Sequence, residues 1–465
     1  MAHRPELHVT PEIGILDAPA GALFDGTHWH IFAQFRPTAD AGARWSHQIA
    51  EGSPLNWEIC DDVLAPEGEE IKVRAGSVVQ TGDETLLYYT SVSPDGDEVH
   101  LASIDDLAAS TEFVSDEGSS LDQNVRHRGV VLDDRDGFYN FRSPSVRAAF
   151  LEGEEQSGWL MLAVSGSMDE PQLVLLDSHD GVDWKVRGPL SLEGDTGLEG
   201  ERLVAPRLIR LKDQVDGQLY DVLILTIERQ GIDISGYLVG KLEHTTFQAF
   251  SPFQRIDFGH DFTRPRITSV PSAVGERMGE RYNSTTLFGF MNGRGRNDTP
   301  KQHRTFSEEG WANCLALPRA ATLQHRRLYQ TPPAGLWEAV ELSDRAALWT
   351  AVLDVPQGES VSVELVDSQG DVAAVITHRG ERLTLDRSMN KVHQGDAVAE
   401  AELHEDDTDA ITIVVDGPTV EVFADGGQVA MAPRVFFEGV CSQFRVHSTE
   451  RAEVQRTHEL RPKFA

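Results

Sequence analysis

At 465 residues the chain exceeds one ordinary domain, so two domains are the default expectation. Its 41 Lys+Arg against 75 Asp+Glu give a formal net charge of −34, a surface that repels phosphate backbones and anionic lipid and so excludes nucleic acid and membrane surfaces as expected partners. A hydrophobic fraction of 40% with 25% charged residues describes a soluble protein with material for large cores.

The opening "MAHRPELHVTPEIG" has no apolar h-region, and no apolar run of about 18 residues follows anywhere, so neither a signal peptide nor a membrane span is expected. Cys60, Cys314 and Cys441 are odd in number and far apart, the usage of reduced thiols in a cytoplasmic protein. Neither CxxC nor HExxH occurs, and no metal or other cofactor is expected.

In chain order the first elements are β-hairpins. "ALFDGTHWHIFAQF" reads as strand, turn at Asp25-Gly26, and alternating strand. "SVVQTGDETLLYYTSV" repeats the plan with its turn at Gly82-Asp83, and "AAFLEGEEQSGWLMLAVSG", "LIRLKDQVDGQLYDVLILTI" and "YNSTTLFGFMNG" follow. A short tight segment precedes each hairpin, ending at Pro19, Gly76, Pro144, Pro206 and Pro265. The intervals are 57, 68, 62 and 59 residues. An all-β unit recurring at about 60 residues predicts propeller blades whose innermost strands begin at these segments and converge on a central funnel. Five units fill the chain to Pro318, giving a propeller over 1–320 and a linker over 321–335, marked by Pro332-Pro333 and Gly335. Over 336–465 the alternating runs "SVSVELVDS", "DAITIVVDG" and "TVEVFADGGQVAMA", with a turn at Asp425-Gly426, predict a β-sandwich.

At this level of detail the chain resembles glycoside hydrolase family 32, the invertase, levanase and sucrose-6-phosphate hydrolase group. The family's opening "GWMNDPNG" after "H-x-x-P", then "YHLFYQY-x-P", is matched in frame by His8, Pro11, Gly14, Pro19, Gly21, His30, Phe32, Gln34 and Pro37. "RWSHQIAEGSPLNW" is similar to its "HWGHAVS…DLxxW", "DFGHDFTRP" to its "DFGxDFYAP", "GWANCLALPR" to its "GWxGxxxLPR", and "DGPTVEVFADGG" to its "DxSxVEVFxNDG". The resemblance implies a five-bladed β-propeller followed by a C-terminal β-sandwich.

It also implies chemistry. Family members cleave fructosides with retention, which requires a carboxylate nucleophile and a carboxylic acid about 5–5.5 Å apart. The acid needs a raised pKa. These groups, with a third acid that holds sugar hydroxyls, occupy "NDPNG", "ECPD" and "RDP" in the family. In "GILDAPAGA" the nucleophile position falls on Ala18, with Asp17 beside it. In "FRSPSV" the third acid falls on Ser143, and in "LVAPRL" the acid/base falls on Val204. No catalytic residue is therefore assigned. Asp17 and Glu201 are the candidate substitutes, whereas Asp261 of "DFGHD" is expected in a structural turn. The expected sugar contacts are Asp17, Gln34, Trp45, His47, Ser77, Arg142 and Ser143.

The sequence thus predicts a protein that keeps a carbohydrate-binding funnel and has lost family hydrolysis. Its small-molecule partner would be a fructoside or a sugar phosphate, the latter held by Arg142, Arg207 and Arg264 at three blade starts. A glycosidase with relocated carboxylates and a non-catalytic interaction protein are the alternatives. Oligomeric state is not legible.

Overall fold

The computed structural model describes residues 3–82, 84–111, 121–150, 156–229, 232–269, 280–292, 303–392, 398–404 and 410–463. Asp83 of the second expected hairpin turn and the 151–155 turn of the third lie outside them.

Five antiparallel meanders succeed one another. Blade one comprises Gly14–Phe24, His28–Arg36, Arg44–Glu51 and Glu58–Ile59. Blade two comprises Lys72–Thr81, Glu84–Ser93, Gly96–Ile104 and Val125–Leu132. Blade three comprises Arg142–Phe150, Gln156–Ser165, Gln172–Ser178 and Trp184–Pro189. Blade four is built on Leu203–Lys212, Leu219–Arg229, Ile232–Glu243 and Thr246–Ala249. Blade five has Phe262–Ser269, Thr285–Met291, Arg319–Gln324 and Arg327–Thr331. The first strand of each blade touches that of the next, and Ala22 and Leu23 pair in parallel with Thr268 and Ser269 to close the ring. This is a five-bladed β-propeller.

Local chemistry sets the turns. Asp25 Oδ1 accepts from the backbone N–H groups of Thr27 and His28, both at 2.7 Å, and fixes the first hairpin. Asp425 and Gly426 both take positive φ, 55° and 61°, as a tight hairpin requires.

The segment expected as a linker, 321–335, is sheet as far as Thr331. Arg319–Gln324 pairs with Thr285–Leu287 on one side and with Arg327–Thr331 on the other. Its alternation buries Ala321 and Leu323 with Leu287 and Met291, so the run completes the fifth blade. Beyond Pro332-Pro333, helix Leu336–Leu342 leads to two five-stranded sheets that pack Trp349, Val363, Leu365, Ile413 and Val422 into one core, a β-sandwich. No helix among the described residues is long and apolar enough to cross a membrane. The three cysteines are buried and unpaired.

Propeller and sandwich meet through buried charge. Arg319, in blade five, places Nη2 at 2.8 Å from Asp257 Oδ2 and 3.0 Å from Glu421 Oε2 of the sandwich. His8 spans Asp416 at 2.8 Å and Glu421 at 3.3 Å, and Asp416 also accepts from the backbone of Glu6 and Leu7 at 2.9 and 2.7 Å. Asp261, as expected, is structural: it is 1% exposed, with Oδ2 at 3.0 Å from Arg387 Nη1 and 2.6 Å from the Arg434 N–H. Removing one partner of such a network leaves an uncompensated buried charge, at a cost of about 3–5 kcal/mol. Arg319→Met is therefore expected to destabilise the protein by that order, read as a lowered midpoint in chemical denaturation. An unchanged midpoint would contradict the assignment.

The network also sets a pH dependence. Burial alone would depress the His8 imidazolium, but its hydrogen bonds to Asp416 and Glu421 prevail and raise its pKa to about 9. The folded value lies above the ordinary His value of about 6.5, so this stabilisation is complete below pH of about 6.5 and fades as pH rises through about 9. The stability gap between wild type and His8→Gln should be widest near pH 6 and should narrow toward pH 9 in denaturation curves taken across that range.

Candidate active-site funnel

The first strands of the blades do not run smoothly. Each blade has a register shift at its proline or glycine segment: at Leu16/Ala18 and Pro19/Gly21, at Arg74/Ser77, opposite Ser143–Pro144 at Leu162/Val164, at Val204/Arg207, and at Thr263/Arg266. Ser143, Ala205 and Arg264, each directly before its proline, adopt left-handed backbone with φ of 54°, 49° and 47°. That conformation costs a non-glycine residue roughly 1–2 kcal/mol. Bulges bend a strand and re-aim its side chains, and here they recur at one level around the funnel.

The expected family positions lie on this ring. Ala18 is buried, its methyl in a cluster with Phe32, Trp45, Val73 and Ala75. Ser143 is half-buried, and its backbone N–H donates to Thr90 Oγ1 at 3.0 Å. Val204 is half-buried and pairs with Thr226.

The candidate substitutes are held by arginines. Asp17 is the extra residue of the Leu16/Ala18 bulge, and both its oxygens are gripped by Arg36, Nε at 2.8 Å and Nη2 at 2.9 Å. Glu201 Oε1 accepts from Arg229 Nε at 2.7 Å. The bidentate pair fixes Asp17 and balances its charge, which lowers its nucleophilicity. Arginines also pair with Asp97 (Arg74, 3.0 Å), Glu228 (Arg202, 3.3 Å) and Asp233 (Arg264, 2.8 Å).

Several residues expected as sugar contacts make packing or hydrogen-bond contacts within and between blades. Trp45 is fully buried and donates its indole N–H to the Arg74 carbonyl at 3.1 Å. His47 is also fully buried, stacked on Phe32 and on His30 with centroids at 4.6 and 5.2 Å. Burial and the neighbouring His30 hold its imidazole well below the ordinary His value. Gln34 Oε1 accepts from the Ala75 N–H at 2.7 Å and ties blade one to blade two. Ser77 Oγ accepts from the Val146 N–H at 3.1 Å and ties blade two to blade three. Arg142 is 6% exposed and donates to the carbonyls of Asn140, Gly166 and Ser167 at 3.0, 2.6 and 2.9 Å. Arg264 belongs to Asp233.

Arg207 differs. It is 2% exposed, donates only to the carbonyls of Pro206, Gly76 and Pro144 at 2.5, 3.0 and 3.5 Å, and has no ion-pair partner among the described residues. Arg266, which the sequence reading passed over, sits at the same place in blade five. The signal was present: "PRL" and "PRI" place an arginine directly after the proline of both bulges. Asp233, the anchor of Arg264, was also missed, because no spacing in the sequence links residues 233 and 264. Among the described residues no group of three or more His, Cys, Asp or Glu side chains could hold a metal ion.

Comparison with known proteins bears on the whole chain. The Glycosyl hydrolases family 32 N-terminal domain matches residues 8–332, and the Glycosyl hydrolases family 32 C terminal domain matches 332–460. A sucrose-6-phosphate hydrolase of Bacillus subtilis is 25% identical over 93% of this chain and 89% of its own length. A raffinose invertase of Escherichia coli is 23% identical over 96% and 92%. Among solved structures, a GH32 beta-fructofuranosidase of Bombyx mori superposes with a TM-score of 0.74 at 20% identity, covering 99% of this chain and 95% of that one. An exo-inulinase of Aspergillus awamori gives 0.76 at 17%, covering 99% and 98%.

The packing around Ala18 yields a direct test. A carboxylate there would enter a cluster of apolar side chains, and desolvation would raise its pKa. Ala18→Asp should lower stability at pH 7 by about 1–3 kcal/mol or more, with partial recovery as pH falls and the group protonates. Thermal denaturation at pH 5 and pH 7 reads both effects.

Proposed function

The chain belongs to glycosyl hydrolase family 32, and we propose that it is a carbohydrate-binding member of that family whose funnel does not carry out retaining hydrolysis. The observation that carries this reading is the charge state of the funnel ring. Ala18, Ser143 and Val204 stand at the bulges where the motif frame puts the family's three carboxylates, and the nearby Asp17 and Glu201 are each committed to an arginine.

A methyl group cannot attack an anomeric carbon, and an isopropyl group cannot protonate a leaving oxygen. General acid catalysis is commonly worth about 10²–10⁴-fold, and without a nucleophile the covalent route is closed as well. Restoring one group does not restore the unit, because such residues act with strong non-additivity. Ser143 remains able to hydrogen-bond a sugar hydroxyl, as a neutral and weaker partner than an aspartate. The ligand class is a small carbohydrate, a fructoside or its phosphate, in keeping with relatives named for sucrose 6-phosphate and raffinose.

Purified protein incubated with sucrose, sucrose 6-phosphate, inulin and levan across about pH 4–8 should release no fructose above background, while calorimetry detects binding of at least one of these sugars or of fructose. Sustained turnover that disappears in Asp17→Asn would overturn the reading in favour of a relocated nucleophile. Turnover lost only in Glu201→Gln would overturn it in favour of relocated acid catalysis, and absence of both turnover and binding would favour an interaction protein.

A further inference from the structure

We infer that Arg207 and Arg266 form a binding site for a small oxyanion, a phosphate or sulfate group, in the central channel of the propeller. The site goes beyond the carbohydrate reading and stands whether or not a sugar occupies the funnel.

Both residues directly follow the proline of a bulge, in blades four and five, whose first strands are neighbours in the ring. Both are buried, Arg207 at 2% and Arg266 at 4% exposure. The head of Arg207 reaches across the channel to the Gly76 carbonyl of blade two at 3.0 Å and the Pro144 carbonyl of blade three at 3.5 Å. It therefore lies inside the ring of first strands. Arg266 Nη1 makes only long contacts, to the carbonyls of Arg264 at 3.3 Å and Pro265 at 3.4 Å. The Nε–H groups of both arginines are buried and without a hydrogen-bond acceptor among the described residues.

The charges are likewise uncompensated. No carboxylate of the described residues forms an ion pair with either guanidinium, and the charged neighbours of Arg266 are Arg207 and Arg264, of its own sign. Asp233 is paired with Arg264 at 2.8 Å. Of the other arginines described above, Arg36, Arg74, Arg202, Arg229 and Arg264 each have a carboxylate, and Arg142, like Arg207, has three carbonyl acceptors. A guanidinium removed from water without a counter-ion is strongly disfavoured, and arginine does not escape by losing its proton. Two such groups side by side, with donors still open, are the complement of a tetrahedral oxyanion, which accepts charge-assisted hydrogen bonds from forked donors. The net charge of −34 makes this local inversion of sign the more specific: the surface repels anions, and this interior point retains them.

The test is thermal denaturation of the full chain in gluconate buffer at constant ionic strength, titrated with inorganic phosphate. The wild-type Tm should rise with phosphate, and Arg266→Met should abolish most of that rise while raising the Tm measured without phosphate, because a buried like charge has been removed. Arg207→Lys is the second variant: it keeps a charge near the carbonyls of Gly76 and Pro144 but loses the forked geometry, and it should weaken the phosphate dependence at least several-fold. A wild-type Tm indifferent to phosphate, or an equal phosphate response in Arg266→Met, would overturn the proposal. Fructose 6-phosphate and fructose distinguish the source of the anion. Phosphate-competitive binding of fructose 6-phosphate, absent for fructose, identifies a sugar-borne phosphate, and phosphate binding without competition identifies a free oxyanion. Because the readout is phosphate alone, failure of sugar binding leaves this inference testable, and failure of this inference leaves the carbohydrate reading intact.

Discussion

The architecture hangs on a buried arginine. Arg319 reaches from the fifth blade to Asp257 in the propeller and Glu421 in the sandwich, and His8 extends the same network to Asp416. These groups are all within the protein interior, so each depends on the others to remain charged. The N-terminal segment, the last propeller strands and the sandwich are thereby fixed in one relation, and the propeller ring is closed by the pairing of Ala22 and Leu23 with Thr268 and Ser269.

This network explains what was legible in the sequence. His8, Asp257, Asp261, Arg319, Asp416 and Glu421 belong to the very motif fragments through which the chain resembles its family, and the structure uses them to join domains. The resemblance and the 60-residue spacing therefore predicted the propeller and the sandwich. The fifth blade was truncated in that reading because Arg319–Gln324 and Arg327–Thr331 are short, and their pairing with Thr285–Leu287 is non-local. Pro332-Pro333, expected as a boundary, directly follows the last blade strand, Arg327–Thr331.

The site was less legible, for a reason that Trp45 and Arg142 show clearly. Spacing assigns a residue to a ring position, but it does not reveal whether the side chain faces the funnel or the blade interior. Trp45 is wholly buried and bonded to Arg74, and Arg142 is consumed by three carbonyls. Conversely, the sequence singles out Arg207 but not Arg266, although both directly follow a bulge proline. Only the ring shows them as neighbours, with no ion pair to a carboxylate of the described residues.

The funnel, on the reading proposed, has exchanged acidic chemistry for basic and neutral recognition: its carboxylates are neutralised by arginines, and two further arginines are left over. The most direct measurement of that claim is intact-protein mass spectrometry after incubation with an activated aryl fructofuranoside. A retaining enzyme passes through a covalent glycosyl-enzyme intermediate. The account predicts that the protein mass stays unchanged at every time point. A fructosyl adduct, located by peptide mapping on Asp17, Glu201 or any other carboxylate of the funnel, would contradict it.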